Sequence, residues 1–368
     1  PGVAQNPTYP AWTPPPKPGL VPLRPLELGD ILGGSFRVLR RNPKPTFGAA
    51  LLIEGISVTL VLVVVGLVTF ASLSRLNFSE EQDTGVVQAG AIATIVLATL
   101  GATLFTIATT ALLQGIIVLE VSRATLGEKQ TLRDLWRRAH GRLWALIGWS
   151  LLVSAAVAAA IIVLVVAVTL TIAVAGTLGI ALGVLLAVFG ALTLVALGFW
   201  IGTKLSLVSS ALMIERLSLR GAIARSWTLT TGAFWKTLGI QLLVAVIINV
   251  ALQVISAPLS LLSPLFLALI DPNGQGQAPA IGLSIGLAVL ATAITVVFGA
   301  IGAVVQSATS ALIYLDRRIR KEGLDLQLAR FVEGRSSAAV VADPYLPGSE
   351  RLHGPAAPIP PADASPWA

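Results

Sequence analysis

The sequence has no cysteine and only two histidines, His140 and His353. Disulfides, thiolate metal sites and cysteine nucleophiles are thereby excluded, and two distant histidines do not make a metal cluster, so neither a metal nor a cofactor is expected. Charge is scarce too. Only 12% of residues are Asp, Glu, Lys or Arg, about half the ~25% usual for soluble domains. Walker A sequences, dinucleotide-binding glycine fingerprints and nucleophile elbows are missing from any suitable context. No catalytic set is legible, and the chain reads as a non-enzymatic protein. The only methionine is Met213, so the start of translation is expected upstream of Pro1. Residues 1–22 are polar and Pro-rich, without the basic-then-apolar order of a secretion signal.

What the chain does contain is apolar length. Of its 368 residues 55% are hydrophobic, and 34 are glycine, a composition suited to helices immersed in lipid. A helix needs about 20 mostly apolar residues to cross the hydrocarbon. Six stretches qualify: 46–71, 87–119, 143–173, 178–213, 237–270 and 281–315. The third and fourth are separated only by "AGTLG", which reads as a tight hairpin because one helix through both would far exceed a bilayer. The expectation is an all-α integral membrane protein with six transmembrane helices.

Cations alternate between the connections. The segment after the second span carries Arg123, Lys129, Arg133, Arg137, Arg138 and Arg142, that after the fourth carries Arg216, Arg220, Arg225 and Lys236, and the sixth ends in Arg317, Arg318, Arg320 and Lys321. The other connections hold Arg75 as their one cation, beside Glu80, Glu81 and Asp83, together with Asp271. Basic loops stay on the cytoplasmic side. This predicts a multi-pass protein of the cytoplasmic membrane with both termini inside, and it explains the net charge of +7 as topology rather than as a nucleic-acid footprint.

The basic connections share a spelling. "LGDILGGSF" from Leu28, "LRDLWRRAH" from Leu132 and "LRGAIARSW" from Leu219 place apolar residues at positions one, four and five. A small residue follows at position eight (Ser35, Ala139, Ser226) and a ring at position nine (Phe36, His140, Trp227). Apolar residues at i, i+3, i+4 and i+8 share one helix face, so each copy predicts a short amphipathic helix lying in the interface. Each is followed by two spans and an acid-then-base ending: Glu120 and Arg123, Glu215 and Arg216, Asp316 and Arg317. The pattern predicts three tandem units, about 24–120, 128–215 and 216–316, each an interfacial helix plus a transmembrane hairpin. Together they form a membrane domain over 23–316. A short cytoplasmic helix is expected over 317–334, broken at Gly323, between disordered Pro-rich tails at 1–22 and 335–368. Trp12 and Trp367 in those tails are available to a partner.

"SALMIERLSLRGAIARSWTLTTGAFWKTLGIQLLV" resembles the most characteristic segment of the bacterial membrane-domain family named after glycerophosphoryl diester phosphodiesterases. "RPLELGDILGGSFRVLRRNP" resembles the opening of its actinobacterial members, which are usually stand-alone membrane proteins. The resemblance covers about residues 24–330. It implies the membrane architecture but not the phosphodiesterase, whose soluble barrel this chain has neither the length nor the histidines to supply.

Two charges fall inside spans. Glu54 and Lys204 lie ten and eleven residues from Lys44 and Glu215, about 15 Å from the elbows at ~1.5 Å per residue. Intramembrane charges face a partner or a wet cavity, so the two are candidates for a mutual ion pair or a polar site. Gln114, Gln241, Asn249, Gln253 and Gln306 read as helix-to-helix hydrogen bonding, and Gly179-x-x-x-Gly183 as close helix packing. Trp136, Trp144, Trp149, Trp227 and Trp235 read as interfacial anchors. The elbow cations, among them Arg37, Arg137, Arg138, Arg220 and Arg225, suit anionic inner-leaflet lipids. The functional expectation is an accessory or scaffold subunit with a protein partner, and the alternative is a transporter or lipid-handling permease using Glu54 and Lys204.

Overall fold

The computed structural model describes residues 19–77, 84–174, 176–270, 278–336 and 343–345. Among them every regular element is a helix. Six helices are long and apolar enough to cross a membrane: Lys44–Arg75, Val87–Thr125, Leu132–Val174, Leu178–Ile214, Phe234–Pro258 and Gly282–Glu322.

The punctuation of these helices follows from local chemistry. α1 (Leu28–Arg41) opens on a capping box in which Glu27 and Asp30 satisfy each other's backbone donors. It stops at Asn42, before Pro43. A short π turn, Lys44–Gly48, then leads into α2 (Ala49–Asn77). α3 (Thr84–Thr125) ends where Gly127 takes φ 79°, a left-handed conformation natural only to glycine. α4 (Leu132–Val174) starts on Thr131, whose hydroxyl accepts from the Asp134 N–H and donates to the Asp134 carboxylate. α5 (Gly176–Leu205) follows a hairpin so tight that only residue 175 separates it from α4. After α6 (Val208–Ile214), Ser218 caps α7 (Leu219–Thr230), and α8 (Phe234–Ile270) and α9 (Ala278–Glu322) complete the spans. Gly323 (φ 64°) breaks the chain before α10 (Leu324–Ser336).

Four features depart from the sequence expectations. The second elbow is not a separate helix, because α4 runs unbroken through it into the third span. The first copy is stopped by Asn42–Pro43 and the third by Gly232 at φ 82°, whereas the second contains only Gly141, which a helix tolerates. The fourth span is broken between α5 and α6. Residues 317–322, expected in a separate cytoplasmic helix, continue α9 without interruption. Finally, the tails are not wholly outside the fold. Leu20 and Val21 are buried and the Leu20 N–H donates to the Ala124 carbonyl at 2.9 Å, residues 335 and 336 belong to α10, and Tyr345 is buried. Residues 1–18, 337–342 and 346–368 of the expected tails, with Trp12 and Trp367, lie outside the described residues.

The spans pair as hairpins α2/α3, α4/α5 and α8/α9. Across hairpins α1 packs on α9, α4 on α3 and α7 on α6, while α3 also meets α6 and α9. The fully buried core lies where these elements converge, at the end of the bundle that carries the basic connections: Ile116 and Ile117 of α3, Leu212 of α6, Leu312 and Tyr314 of α9, with Leu207 at the α5–α6 break. In the α4/α5 hairpin a Cβ on Gly179 would sit 2.8 Å from the Thr171 and Ile172 carbonyl oxygens. Only glycine permits that approach, as the small-residue spacing anticipates.

Candidate functional site

The basic end gathers the acids that close the spans. Glu215 follows α6 at the turn where Arg216 takes φ 55°. Its side chain is only 5% exposed. Nε of Arg225 on α7 donates to both of its oxygens at 3.1 and 3.2 Å. Nε of Arg318 on α9 lies 3.2 Å away, and the Tyr314 hydroxyl also donates to it. Glu322 closes a ring of alternating charge, at 2.6 Å from Arg225 and 3.0 Å from Arg318. Burial opposes the charge on Arg225, yet its hydrogen bonds to Glu322 and Glu215 outweigh that and hold its pKa above the ordinary value.

A second node forms around Asp316, which is wholly buried. It accepts the Leu26 N–H at 2.9 Å and Nε of Arg320 at 2.8 Å, with Lys236 at 3.9 Å. Arg320 also donates to the Leu26 carbonyl. The start and the end of the six-helix region are thereby tied together. At the third acid, Glu120, the partner is an amide: Asn42 Nδ2 donates to it at 2.9 Å and to the Gln130 carbonyl at the same distance.

The elbow residues divide by depth. Position four (Ile31, Leu135, Ala222) and position eight (Ser35, Ala139, Ser226) are completely buried in all three copies, whereas Phe36, His140 and Trp227 at position nine are exposed. Two of the buried serines carry polar contacts between elements. The Ser35 hydroxyl lies 2.9 Å from that of Thr309 on α9. The Ser226 hydroxyl donates to the Lys204 carbonyl at 2.6 Å and accepts the Leu207 N–H at 3.3 Å. Ser226 thus satisfies backbone groups that the break between α5 and α6 would leave bare.

The remaining elbow cations face outward. Arg37 and Arg220 are exposed, Arg137 pairs with its neighbour Asp134 at 3.4 Å, and Arg138 is half-buried. The tryptophans are not equivalent. Trp227 stacks edge-on against Trp200 with ring centroids 5.9 Å apart, and Trp136, Trp144 and Trp235 are exposed, but Trp149 is buried and belongs to the core.

The expected Glu54–Lys204 pair is not made. The Lys204 ammonium lies at the end of α5, 3.4 Å from the Thr231 hydroxyl and 5.2 Å from the centre of the Trp227 ring. The break after Leu205 folds α6 and α7 back beside Lys204, so its neighbours come from the elbow and not from the first span. Glu54 instead faces α9, where a Cβ on Gly299 would sit 3.9 Å from its carboxylate. Among the described residues Glu54 has no hydrogen bond or ion pair. Gln114 does make a helix-to-helix bond, to Ser209 at 3.0 Å, while Asn249 turns back onto its own helix.

Chemically, Glu215 is committed, its oxygens taken by the Arg225 guanidinium and the Tyr314 phenol. In Asp316 Oδ1 accepts the Leu26 and Arg320 donors, whereas the buried Oδ2 has no hydrogen bond among the described residues and faces Arg317 at 3.6 Å and Lys236 at 3.9 Å. No group of three or more His, Asp or Glu residues arranged to hold a metal ion occurs among the described residues. The acid-then-base endings signal Glu215 and Asp316 in the sequence, which marks Ser226 only as the small residue of its elbow and Arg318 only as one of a basic run; nothing there singles out Tyr314 or Tyr345.

No curated protein and no solved structure matches the chain. One family profile does, over residues 26–316, and those limits fall on the hydrogen-bonded pair Leu26 and Asp316. The chain belongs to the family described as a domain of unknown function (DUF7847).

Proposed function

We propose that this protein is a non-enzymatic accessory or scaffold subunit of a larger assembly in the cytoplasmic membrane, with its basic end and both termini in the cytoplasm. The observation that carries this reading is the contrast within the spans. At the basic end Glu215 and Glu322 share Arg225 and Arg318, while the apolar faces beyond it are left open, Leu97 being 67% and Val163 68% exposed. A rigid hub with open flanks is the form of a part that others pack against. Exposed Arg37, Arg137 and Arg220 beside Trp136 and Trp227 suit anionic headgroups at about 1 kcal/mol per cation.

The same reading takes the fold as three tandem units. Its support is the burial pattern common to the three elbows and a cyclic order of packing, in which each elbow element rests on the closing helix of the preceding unit: α4 on α3, α7 on α6 and α1 on α9. The resemblance to the phosphodiesterase-associated membrane domain is part of the proposal, and it adds a separately encoded enzyme, with this protein as its membrane anchor, as one kind of partner.

Purification of the native protein in mild detergent tests the subunit reading, with a stoichiometric partner as the expected result and a lone protein overturning it. Topology is tested separately, since the chain has no cysteine. A cysteine introduced at Arg220 is expected to escape a membrane-impermeant maleimide in intact cells and to react in inverted vesicles. The alternative of a transporter or lipid-handling permease draws on one specific observation, the unpaired Glu54 between α2 and α9. In that case Glu54→Gln abolishes substrate movement in reconstituted vesicles while leaving the fold intact.

A further inference from the structure

We propose that the end of α3 carries a peptide-binding socket for an acid–proline–tyrosine segment, and that Asp343–Pro344–Tyr345 of the chain's own tail is its resident, releasable ligand. A helix end leaves its last carbonyls without intrahelical donors. In α3 the Arg123 carbonyl is taken by the N–H groups of Leu126 and Glu128, and the Ala124 carbonyl by those of Gly127 and Leu20. The Ser122 carbonyl accepts the Thr125 hydroxyl at 2.7 Å and is also reached by the tail: the Tyr345 hydroxyl donates to it at 2.7 Å and lies 2.6 Å from the Thr125 hydroxyl.

The acid and the tyrosine of the segment each have a reader, and Pro344 between them is buried. The tyrosine is 1% exposed. The Arg123 guanidinium lies 5.8 Å from its ring centre and pairs with the Asp343 carboxylate. Asp343 also accepts the Tyr345 N–H at 3.1 Å, folding the segment into the turn that presents the ring. Nη1 of Arg318 donates to the Tyr345 carbonyl at 3.4 Å. Burial pushes the phenol pKa above its ordinary value. The Ser122 carbonyl at the floor of the socket accepts a phenol and repels a phosphate, so the socket selects unmodified tyrosine.

Arg318 belongs to two structures at once. Its Nε serves Glu215 and Glu322 in the charged ring, and its Nη1 serves the tail. Occupancy of the socket and the geometry of the ring therefore share one guanidinium. The site is a property of this chain alone and holds with or without a partner subunit.

The test is binding of a fluorescein-labelled peptide with the sequence of residues 340–348 to the full-length protein in detergent, read by anisotropy. In the wild type the tethered segment competes at a millimolar-scale effective concentration. The peptide is therefore expected to bind Tyr345→Ala protein at least tenfold more tightly than wild type. Adding Arg123→Ala to that variant is expected to remove binding, and a peptide with phenylalanine in place of the tyrosine to bind at least fivefold more weakly. Tyr345→Phe, which removes the hydroxyl that reaches the Ser122 carbonyl, is the second vacating variant should Tyr345→Ala fail to fold. Equal affinity for wild type and vacated protein overturns the proposal. So does failure to bind either vacated variant when its melting transition is that of wild type.

Discussion

The two ends of the same helices are held by different means. At the basic end Ile116, Ile117, Leu212, Leu312 and Tyr314 are fully buried, and Glu215 and Asp316 draw donors from α7, α8, α9 and the segment before α1. Farther along the spans residues such as Leu97 and Val163 look outward. The 45 residues of α9 extend roughly 65 Å at ~1.5 Å per residue, well beyond a hydrocarbon core of about 30 Å. On the proposed topology this excess length lies at the basic end. Inside lipid no hydrophobic force draws apolar helices together. Where they emerge, burial from water and charged hydrogen bonding both act. The difference teaches that the architecture is decided at the wet end and merely continued through the membrane.

The sharpest way to break that contrast is Glu215→Ala. It leaves the Tyr314 hydroxyl unpaired in a buried place, takes from Arg225 and Arg318 one of the two carboxylates they share, and is expected to cost about 3–5 kcal/mol, as the removal of one partner of a buried pair does. The melting temperature in detergent, followed by tryptophan fluorescence, should fall further than it does for a single truncation in the apolar core. A matched pair sharpens the same point. Ile117→Ala, in the sealed core, should cost about 2–5 kcal/mol, whereas Leu97→Ala, on the open flank, should stay within about 0.5 kcal/mol of wild type. An equal loss from both would erase the distinction between the ends.

Ser226→Ala comes next, at about 1–3 kcal/mol, because it leaves the Lys204 carbonyl and the Leu207 N–H without their partner. Faster hydrogen exchange at Leu207 is the local readout. The smallest effect is expected from the charge pair that does not form. A double-mutant cycle on Glu54→Gln and Lys204→Gln should give a coupling within about 0.5 kcal/mol of zero, and a larger value would mean that the two side chains meet in the membrane.

The readable part of the fold is local. A run such as that around Val163 announces a span because hydropathy over about 20 residues is a property of contiguous sequence. The elbow faces are legible for the same reason: the i, i+3, i+4 spacing of Leu28, Ile31 and Leu32 defines a helix face before any neighbour is known. The continuity of α4 through its elbow is legible in principle, since Gly141 is a weaker stop than Asn42–Pro43, but the likeness of the three copies masks that difference. The site is legible only by halves. The acids Glu120, Glu215 and Asp316 stand out, but their partners Asn42, Arg318 and Leu26 are brought to them by the arrangement of hairpins, on which local pattern is silent. Tyr345 lies in a Pro-rich stretch with no apolar face, and its burial depends on a carbonyl of α3 more than two hundred residues earlier.

Six long apolar helices and the apolar face of each elbow follow from the order of side chains along one helix, so both can be read from the residues alone. Which acid meets which base, the turn of Lys204 to Trp227 rather than to Glu54, and the return of the tail to cap α3 come from packing. Each of those contacts joins groups on different helices, and their distance is set by how the hairpins stack rather than by any spacing along the chain.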